Sequence, residues 1–216
     1  MKKYKRKIYI AGQEGMVGSA VYRLIKKKNF TVIECKRNSL DLTNQIDVNK
    51  FIKKNKPEVV INAAGKVGGI LDNSRFQDDY LYINSLIGLN LAKACFENNI
   101  NNFINLGSAC IYPKKSKQPI KEDYLLSSKL EPTNEGYALA KIVVLKYCEY
   151  ISRKYKKNFI TLQPANLYGE GDNFDLKSSH VMPALLKKFH LAAINNLKTV
   201  EVWGTGVAER EFLHVN

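Results

Sequence analysis

The feature that narrows this chain most is a turn. The apolar run Lys7-Ile8-Tyr9-Ile10-Ala11 stops at Gly12, glycines recur at Gly15 and Gly18, and an apolar helical pattern follows through Val17, Ala20, Val21, Leu24 and Ile25. That order predicts a strand, a tight turn and a helix, with Ile8 and Ile10 facing inward. Gly12 lets the chain leave the strand sharply, Gly15 keeps a side chain out of the space ahead of the helix, and Gly18 lets the helix lie close on the sheet. A helix entered this way offers its first N–H groups and its positive dipole end to an anion, the place where a dinucleotide's pyrophosphate sits. Gly12, Gly15, Met16, Val17 and Gly18 are therefore candidate cofactor-binding residues. The competing reading is an ordinary surface turn, and the strand directly before it favours the cofactor.

Behind this unit, strand-like and helix-like segments alternate. Strands are expected at Phe30 to Cys35, at Val59-Val60-Ile61 after Pro57, at Phe103 to Leu106 and at Phe159 to Gln163. Helices are expected at Val48 to Lys54, at Asp72 to Asn98 with Tyr80, Ile83, Ile87, Leu91 and Ala94 along one side, and at Tyr137 to Lys154. Such alternation predicts an α/β fold, a doubly wound parallel sheet of the NAD(P)-binding Rossmann type, over residues 1–165. From Asn166 the pattern loosens to one helix, Val181 to Asn195, and a strand at Thr199 to Trp203. Residues 166–216 are expected to begin a second, incomplete lobe.

The chain has 216 residues and carries 34 lysines and arginines against 20 acids, a net charge of +14. Its lysines are scattered over helices without an interleaved aromatic platform, which argues against nucleic acid and for steering of small anionic ligands. No apolar run approaches the roughly 20 residues of a membrane span. The basic N-terminus is followed by too short an apolar stretch for a secretory signal, so a cytoplasmic location is the default. Cys35, Cys95, Cys110 and Cys148 show no paired spacing, which points to reduced thiols, and no metal site is expected.

Three places carry candidate chemistry. The second strand runs into Lys36-Arg37, and a basic residue there accommodates a 2′-phosphate where an acid would grip a ribose hydroxyl. Arg37 can present its planar fork to that phosphate, or can be one of a solvated pair on a basic surface. Asp41 and Leu42 lie just beyond, near an adenine edge or as part of a cap for the next helix. Tyr137 and Lys141 stand four apart on a helix and share a face. The ammonium is expected to lower the tyrosine pKa and suit it to proton transfer. Ser108, at the end of a strand behind Leu106 and Gly107, would hydrogen-bond a substrate carbonyl that Tyr137 protonates.

Ser108, Tyr137 and Lys141 match the Ser-Tyr-Lys triad of extended short-chain dehydrogenase/reductases. Further runs sharpen the match: Lys66-Val67-Gly68-Gly69-Ile70, Leu106-Gly107-Ser108-Ala109-Cys110-Ile111-Tyr112-Pro113, Leu130-Glu131-Pro132-Thr133-Asn134-Glu135, Asn166-Leu167-Tyr168-Gly169, Ser179-His180-Val181 and Arg210-Glu211-Phe212-Leu213-His214-Val215. On these the chain resembles the GDP-L-fucose synthase family, over essentially its whole length. The resemblance implies an oxidoreductase and isomerase of nucleotide-sugar metabolism that uses NADP(H). It implies 3,5-epimerisation and 4-reduction of GDP-4-keto-6-deoxy-D-mannose to GDP-L-fucose, in a homodimer built on the two long helices. Cys110 and His180 match the acid/base pair of the epimerisation. Lys188, Trp203 and Arg210 match positions that hold the GDP-sugar, and Leu106, Gly107, Pro164, Asn166, Leu167 and His180 match the cofactor's surroundings.

Two departures are expected to matter. Glu14 stands in the glycine loop where many members carry arginine, and Asn216 replaces the acid after the His-Val pair. The resemblance also implies more of the sugar-nucleotide lobe beyond Asn216, so the chain is expected to be C-terminally truncated. The alternatives are another NAD(P)-dependent sugar-nucleotide epimerase or dehydratase, which has no use for Cys110 with His180, and a catalytically silent nucleotide-binding fragment.

Overall fold

The computed structural model describes residues 6–28, 30–176 and 178–216. Five strands, β1 (Lys7–Ala11), β2 (Thr31–Ile33), β3 (Val59–Asn62), β4 (Asn102–Leu106) and β5 (Asn158–Leu162), form one parallel sheet in the order β2-β1-β3-β4-β5. The chain winds outward from β1 to β2, then crosses back to β3, so the strand order reverses between β1 and β3. In open α/β sheets ligands bind at the carboxyl ends of the strands at such a point.

Helices lie on both faces of the sheet, although Ile160 and Leu162 of the edge strand β5 stay exposed. Ile8, Ile10 and Ile61 pack with Ile25 of α1 (Met16–Lys27) on one face. Tyr9, Ala11, Val60 and Phe103 point to the other, where Ile52 of α2 (Gln45–Asn55), Leu91 of α4 (Gln77–Glu97) and Val144 of α5 (Glu135–Tyr155) cover them. This is the doubly wound α/β fold. Ile8 and Ile10 face inward as expected, and Tyr9 and Ala11 on the other face are equally buried.

The helix expected over Asp72 to Asn98 is two helices, α3 (Ile70–Arg75) and α4, broken at Phe76 with φ −123° and ψ 45°. Neither glycine nor proline announces the break. The Phe76 ring is instead held beneath Lys66, 5.6 Å away, and Arg75, 5.1 Å away. Along α4, Tyr80 and Ile87 are core and Ile83 packs against it, while Leu81 and Tyr82 of α4 and Leu139, Val143 and Tyr150 of α5 are among the exposed apolar residues.

Beyond β5, β6 (Asn166–Tyr168) pairs in parallel with β7 (Phe212–His214), and α6 (Val181–Ile194) lies between them in sequence. The strand expected at Thr199 to Trp203 does not form. Nearly every side chain there is exposed, and β-rich composition makes a strand only on a half-buried surface. No helix among the described residues is long and apolar enough to cross a membrane.

Candidate active site

The glycine turn sits at the carboxyl end of β1. Gly12 has φ +80°, and a Cβ on it would stand 2.8 Å from the Ala63 carbonyl oxygen just beyond β3. A Cβ on Gly18 would fall 2.0 Å from the Gly12 carbonyl oxygen, so α1 lies this close to the turn only because Gly18 has no side chain. Gly15 differs. A Cβ there would meet its nearest atom, Gly12 O, at an ordinary 3.4 Å, so nothing in the protein itself demands glycine. The start of α1 has no side-chain cap and no acid in its first turn. This cradle fits a diphosphate: its N–H groups are undiverted and the space before them is kept clear.

At the end of β2 the Glu34 carboxylate is taken by α1, through Tyr22 Oη at 2.8 Å and Lys26 Nζ at 3.1 Å. Arg37 begins a short 3₁₀ turn, Arg37–Ser39, and its backbone N–H donates to Glu14 Oε2 at 3.1 Å. The Asp41 carboxylate accepts from the Thr43 N–H and hydroxyl at 2.9 and 2.7 Å, which lowers its pKa. Asp41 thus closes its own turn, Asn44 caps α2, and Leu42 packs on the core while Asn90 holds its carbonyl at 3.0 Å. Asp41 therefore does not cap α2, whose cap is Asn44.

The candidate reacting groups Ser108, Cys110, Tyr137 and Lys141 gather where β4 ends. Ser108 follows β4, and its N–H donates to Gln163 Oε1 at 2.7 Å. Gly107 lies directly on the same amide, since a Cβ there would stand 2.1 Å from Gln163 Oε1. The Ser108 side chain lies against both the Tyr137 phenol and the Cys110 thiol and lowers the pKa of each. It also accepts the Cys110 N–H at 3.4 Å, capping the 3₁₀ turn Ala109–Ile111. One turn along α5, Lys141 is buried and donates from Nζ to the Leu106 carbonyl at 2.9 Å.

Burial dominates the electrostatics of this cluster. It lowers the Lys141 pKa to about 8, against the opposing pull of Cys110. It raises the Cys110 thiol, opposed by Ser108 and Lys141. It pushes the Tyr137 phenol up rather than down, aided by Cys110 and Tyr80 and opposed by the Ser108 hydrogen bond. The expected depression of Tyr137 by Lys141 is therefore absent. The amine is turned to a carbonyl, 5.5 Å from the ring centroid, and desolvation outweighs it. At neutral pH the cluster holds a phenol and a thiol, both with protons to give, and a largely protonated amine.

His180 is the N-cap residue of α6, without a side-chain cap bond, and is exposed. The segment before it is docked on the loop after β3: the Gly69 N–H donates to Ser178 O at 2.8 Å. Lys188, on α6, places Nζ 5.0 Å over the Trp203 ring and donates to Glu201 O at 3.1 Å, so these two predicted residues meet. The Arg210 guanidinium donates to its neighbour's carbonyl, Glu209 O, at 2.7 Å. Asn166 is fixed by bonds from its N–H and Nδ2 to Glu211 O at 3.3 and 2.9 Å; Pro164 precedes it on the link from β5 and Leu167 follows it in β6. Asn216 accepts from Arg23 of α1 at 2.7 Å, and Arg23 also pairs with Glu170 at 3.4 Å.

Sequence reasoning missed the residues that hold this arrangement. Gln163 supports the Ser108 backbone; Asn62 Nδ2 bonds Asn105 Oδ1 at 2.9 Å across β3 and β4. Asn84 of α4 ties down the loop after β3, accepting the Lys66 N–H at 2.9 Å and donating to Lys66 O at 3.0 Å. The one available signal was polarity out of place: Asn62 and Asn105 end apolar strands, and Asn84 interrupts an apolar helix face.

A dinucleotide cradle beside a Ser-Tyr-Lys cluster defines a nucleotide-cofactor enzyme of the short-chain dehydrogenase/reductase type. The chain belongs to the NAD dependent epimerase/dehydratase family, whose model matches residues 8–216. It is 47% identical to the GDP-L-fucose synthase of Sinorhizobium fredii over 97% of this chain and 67% of that protein. It is 44% identical to the GDP-L-fucose synthase of Escherichia coli over 98% of this chain and 66% of that protein. Among solved structures it is similar to a GDP-D-glycero-L-gluco-heptose synthase from Campylobacter jejuni, solved in the presence of NADPH. The TM-score is 0.90 at 36% identity, covering 100% of this chain and 72% of that one. The chain thus spans about two thirds of the length of the curated relatives it matches. These relatives bear out the resemblance carried by the motifs.

Proposed function

We propose that this chain is the cofactor-binding and reacting part of a cytoplasmic GDP-L-fucose synthase, which converts GDP-4-keto-6-deoxy-D-mannose to GDP-L-fucose with NADPH. Residues 1–165 form the cofactor half and 166–216 belong to the sugar-nucleotide lobe. The observation that carries this is the Ser108 side chain, set against both the Tyr137 phenol and the Cys110 thiol. A simple carbonyl reductase needs the phenol but has no use for a thiol at the same carbonyl. The names of the relatives and the triad support the same conclusion.

The geometry and the resemblance support the following roles. Gly12, Gly15, Met16, Val17 and Gly18 would hold the diphosphate of the cofactor at the N-terminus of α1, and Arg37 its 2′-phosphate; the bound cofactor supplies a hydride to the sugar's C4. Lys141, buried and cationic at neutral pH, would orient the nicotinamide ribose beside the Leu106 carbonyl. Leu106, Gly107, Pro164, Asn166 and Leu167 would wall the nicotinamide end. The C4 ketone acidifies the protons on C3 and C5. His180 and Cys110 would remove and return them from opposite faces, and a thiol kept protonated by burial suits the returning half. Tyr137, kept a phenol by the same burial, would then protonate the C4 oxygen, with Ser108 holding that oxygen in place. Lys188 and Arg210 would meet the GDP diphosphate, and Trp203 the base or sugar face.

The exposed apolar residues Leu81, Tyr82, Leu139, Val143 and Tyr150 on α4 and α5 fit a second copy of this chain, giving a homodimer that needs neither nucleic acid nor membrane. Light scattering checks this, and a monomer at all concentrations would contradict it. The activity itself is tested by mixing the protein with NADPH and GDP-4-keto-6-deoxy-D-mannose. Loss of NADPH absorbance with GDP-L-fucose as product is expected; an unconsumed keto sugar would overturn the proposal.

A further inference from the structure

Tyr80 and Asp72 take no part in the chemistry above, yet both lie against it. Tyr80 is fully buried on α4, and its hydroxyl donates to the carboxylate of Asp72 on α3. Its ring meets that of Tyr137 edge to face, with centroids 6.2 Å apart and planes at 80°. Lys66 Nζ stands 5.1 Å over the Tyr80 ring while paired with Asp79 at 2.8 Å.

The loop after β3 runs directly over the hydroxyl. A Cβ on Gly68 would fall 2.2 Å from Tyr80 Oη and 2.8 Å from Asp72 Oδ2, so the backbone rests on the pair itself. Asn73 clasps the same turn by donating from Nδ2 to the Gly68 and Gly69 carbonyls at 2.7 and 3.1 Å. One residue on, the Gly69 N–H holds Ser178 O, and a Cβ on Gly69 would stand 2.6 Å from Ser179 O. His180 follows immediately. The pair is thus the floor of a turn that docks the His180 segment, and the Tyr80 ring bears on Tyr137.

We propose that Tyr80 and Asp72 are positioning residues that set His180 and Tyr137 in one geometry, so that proton exchange at the sugar and reduction share a site. This rests on the function proposed above. Burial and the Asp72 carboxylate both hold the Tyr80 phenol protonated, so it remains a donor at any pH where the protein works. Removing the hydroxyl alone leaves the ring in place and Asp72 without this partner, and it takes the support from under Gly68.

Tyr80→Phe tests this. The expected result is a kcat for deuterium uptake at sugar C3 and C5 lowered about tenfold, the loss of one hydrogen bond to a charged group, with KM and NADPH affinity within about twofold. The Gly69 amide should exchange with solvent faster by a similar factor, while the Ala63 amide, bonded to Ala11 O in the sheet, keeps its protection. Faster Gly69 exchange with wild-type uptake would reduce the pair to a structural prop and overturn the proposal, as would no change in either. A wild-type chain that takes up no deuterium sinks the reaction assigned above, not this placement. The pair is then judged on the line width of the His180 ring-proton NMR signal: broadening in Tyr80→Phe upholds it and an unchanged line overturns it.

Discussion

Lys141→Met should make this protein more stable at neutral pH while removing its activity. The folded chain holds the Lys141 proton only up to about pH 8, whereas the unfolded chain holds it to about 10.5. At about 1.4 kcal/mol per pH unit, the folded state carries a penalty of about 3 kcal/mol. The sign follows from linkage. Below pH 8 both states are protonated and the full penalty is present. Between 8 and 10.5 the unfolded state binds more protons, so stability rises with pH; above 10.5 the penalty is gone. Methionine fills a similar volume without the charge but gives up the bond to the Leu106 carbonyl, about 1 kcal/mol. The net is about 2 kcal/mol in favour of the variant at pH 7, or about 4–8 °C in Tm for a chain this long. Thermal unfolding followed by circular dichroism, for both proteins across this pH range, reads it. The gap should shrink through the window and reverse slightly at its top. A variant less stable at pH 7, or a gap that does not move with pH, would refute the account of a desolvated ammonium kept for function.

Gly15→Ala should fold normally, because its Cβ meets only ordinary contact, yet lose most NADPH affinity in a fluorescence titration. Gly18→Ala should instead lower Tm by several degrees, since its Cβ would overlap the Gly12 carbonyl; equal behaviour of the two would undo the cradle. NADPH should bind more tightly than NADH through Arg37, and Glu14→Gln should tighten NADPH by up to about fivefold with NADH unchanged, the range of an exposed charge pair. Equal tightening of both cofactors would show that Glu14 does not face the 2′-phosphate. Trp203 is the only tryptophan and is exposed beneath Lys188, so GDP should quench its emission and Lys188→Met should weaken that response. Unchanged emission at saturating GDP would remove Trp203 from the substrate site.

The core of the fold was legible because its signals are local. Three glycines between a strand and a helix, and apolar strands alternating with helices, need no distant information. Ser108, Tyr137 and Lys141, which the fold brings together, were legible for the same reason, as strand-end and helix-face positions. What escaped was set by contacts between distant segments. Phe76 breaks a helix with no breaker residue. Thr199 to Trp203 has strand composition but no surface to lie on, and Phe212–His214 pairs with β6 instead. The direction of the Tyr137 shift was misjudged because helix spacing shows a lysine four residues away but not how dry the site is. Tyr80 looked like one apolar residue in a stripe, and only its hydroxyl's partner on another helix reveals its place.

The central claim is that one cluster exchanges protons beside the C4 carbonyl and reduces it. NMR of GDP-4-keto-6-deoxy-D-mannose incubated with the protein in D₂O, without reductant, tests it most directly. The wild type should incorporate deuterium at C3 and C5, while Cys110→Ser and His180→Gln fall by about a hundredfold or more, as expected for loss of a general acid or base. Both variants should still bind NADPH as the wild type does. Exchange at the wild-type rate in both would contradict the claim and leave Ser108, Tyr137 and Lys141 as the site of a simple reductase.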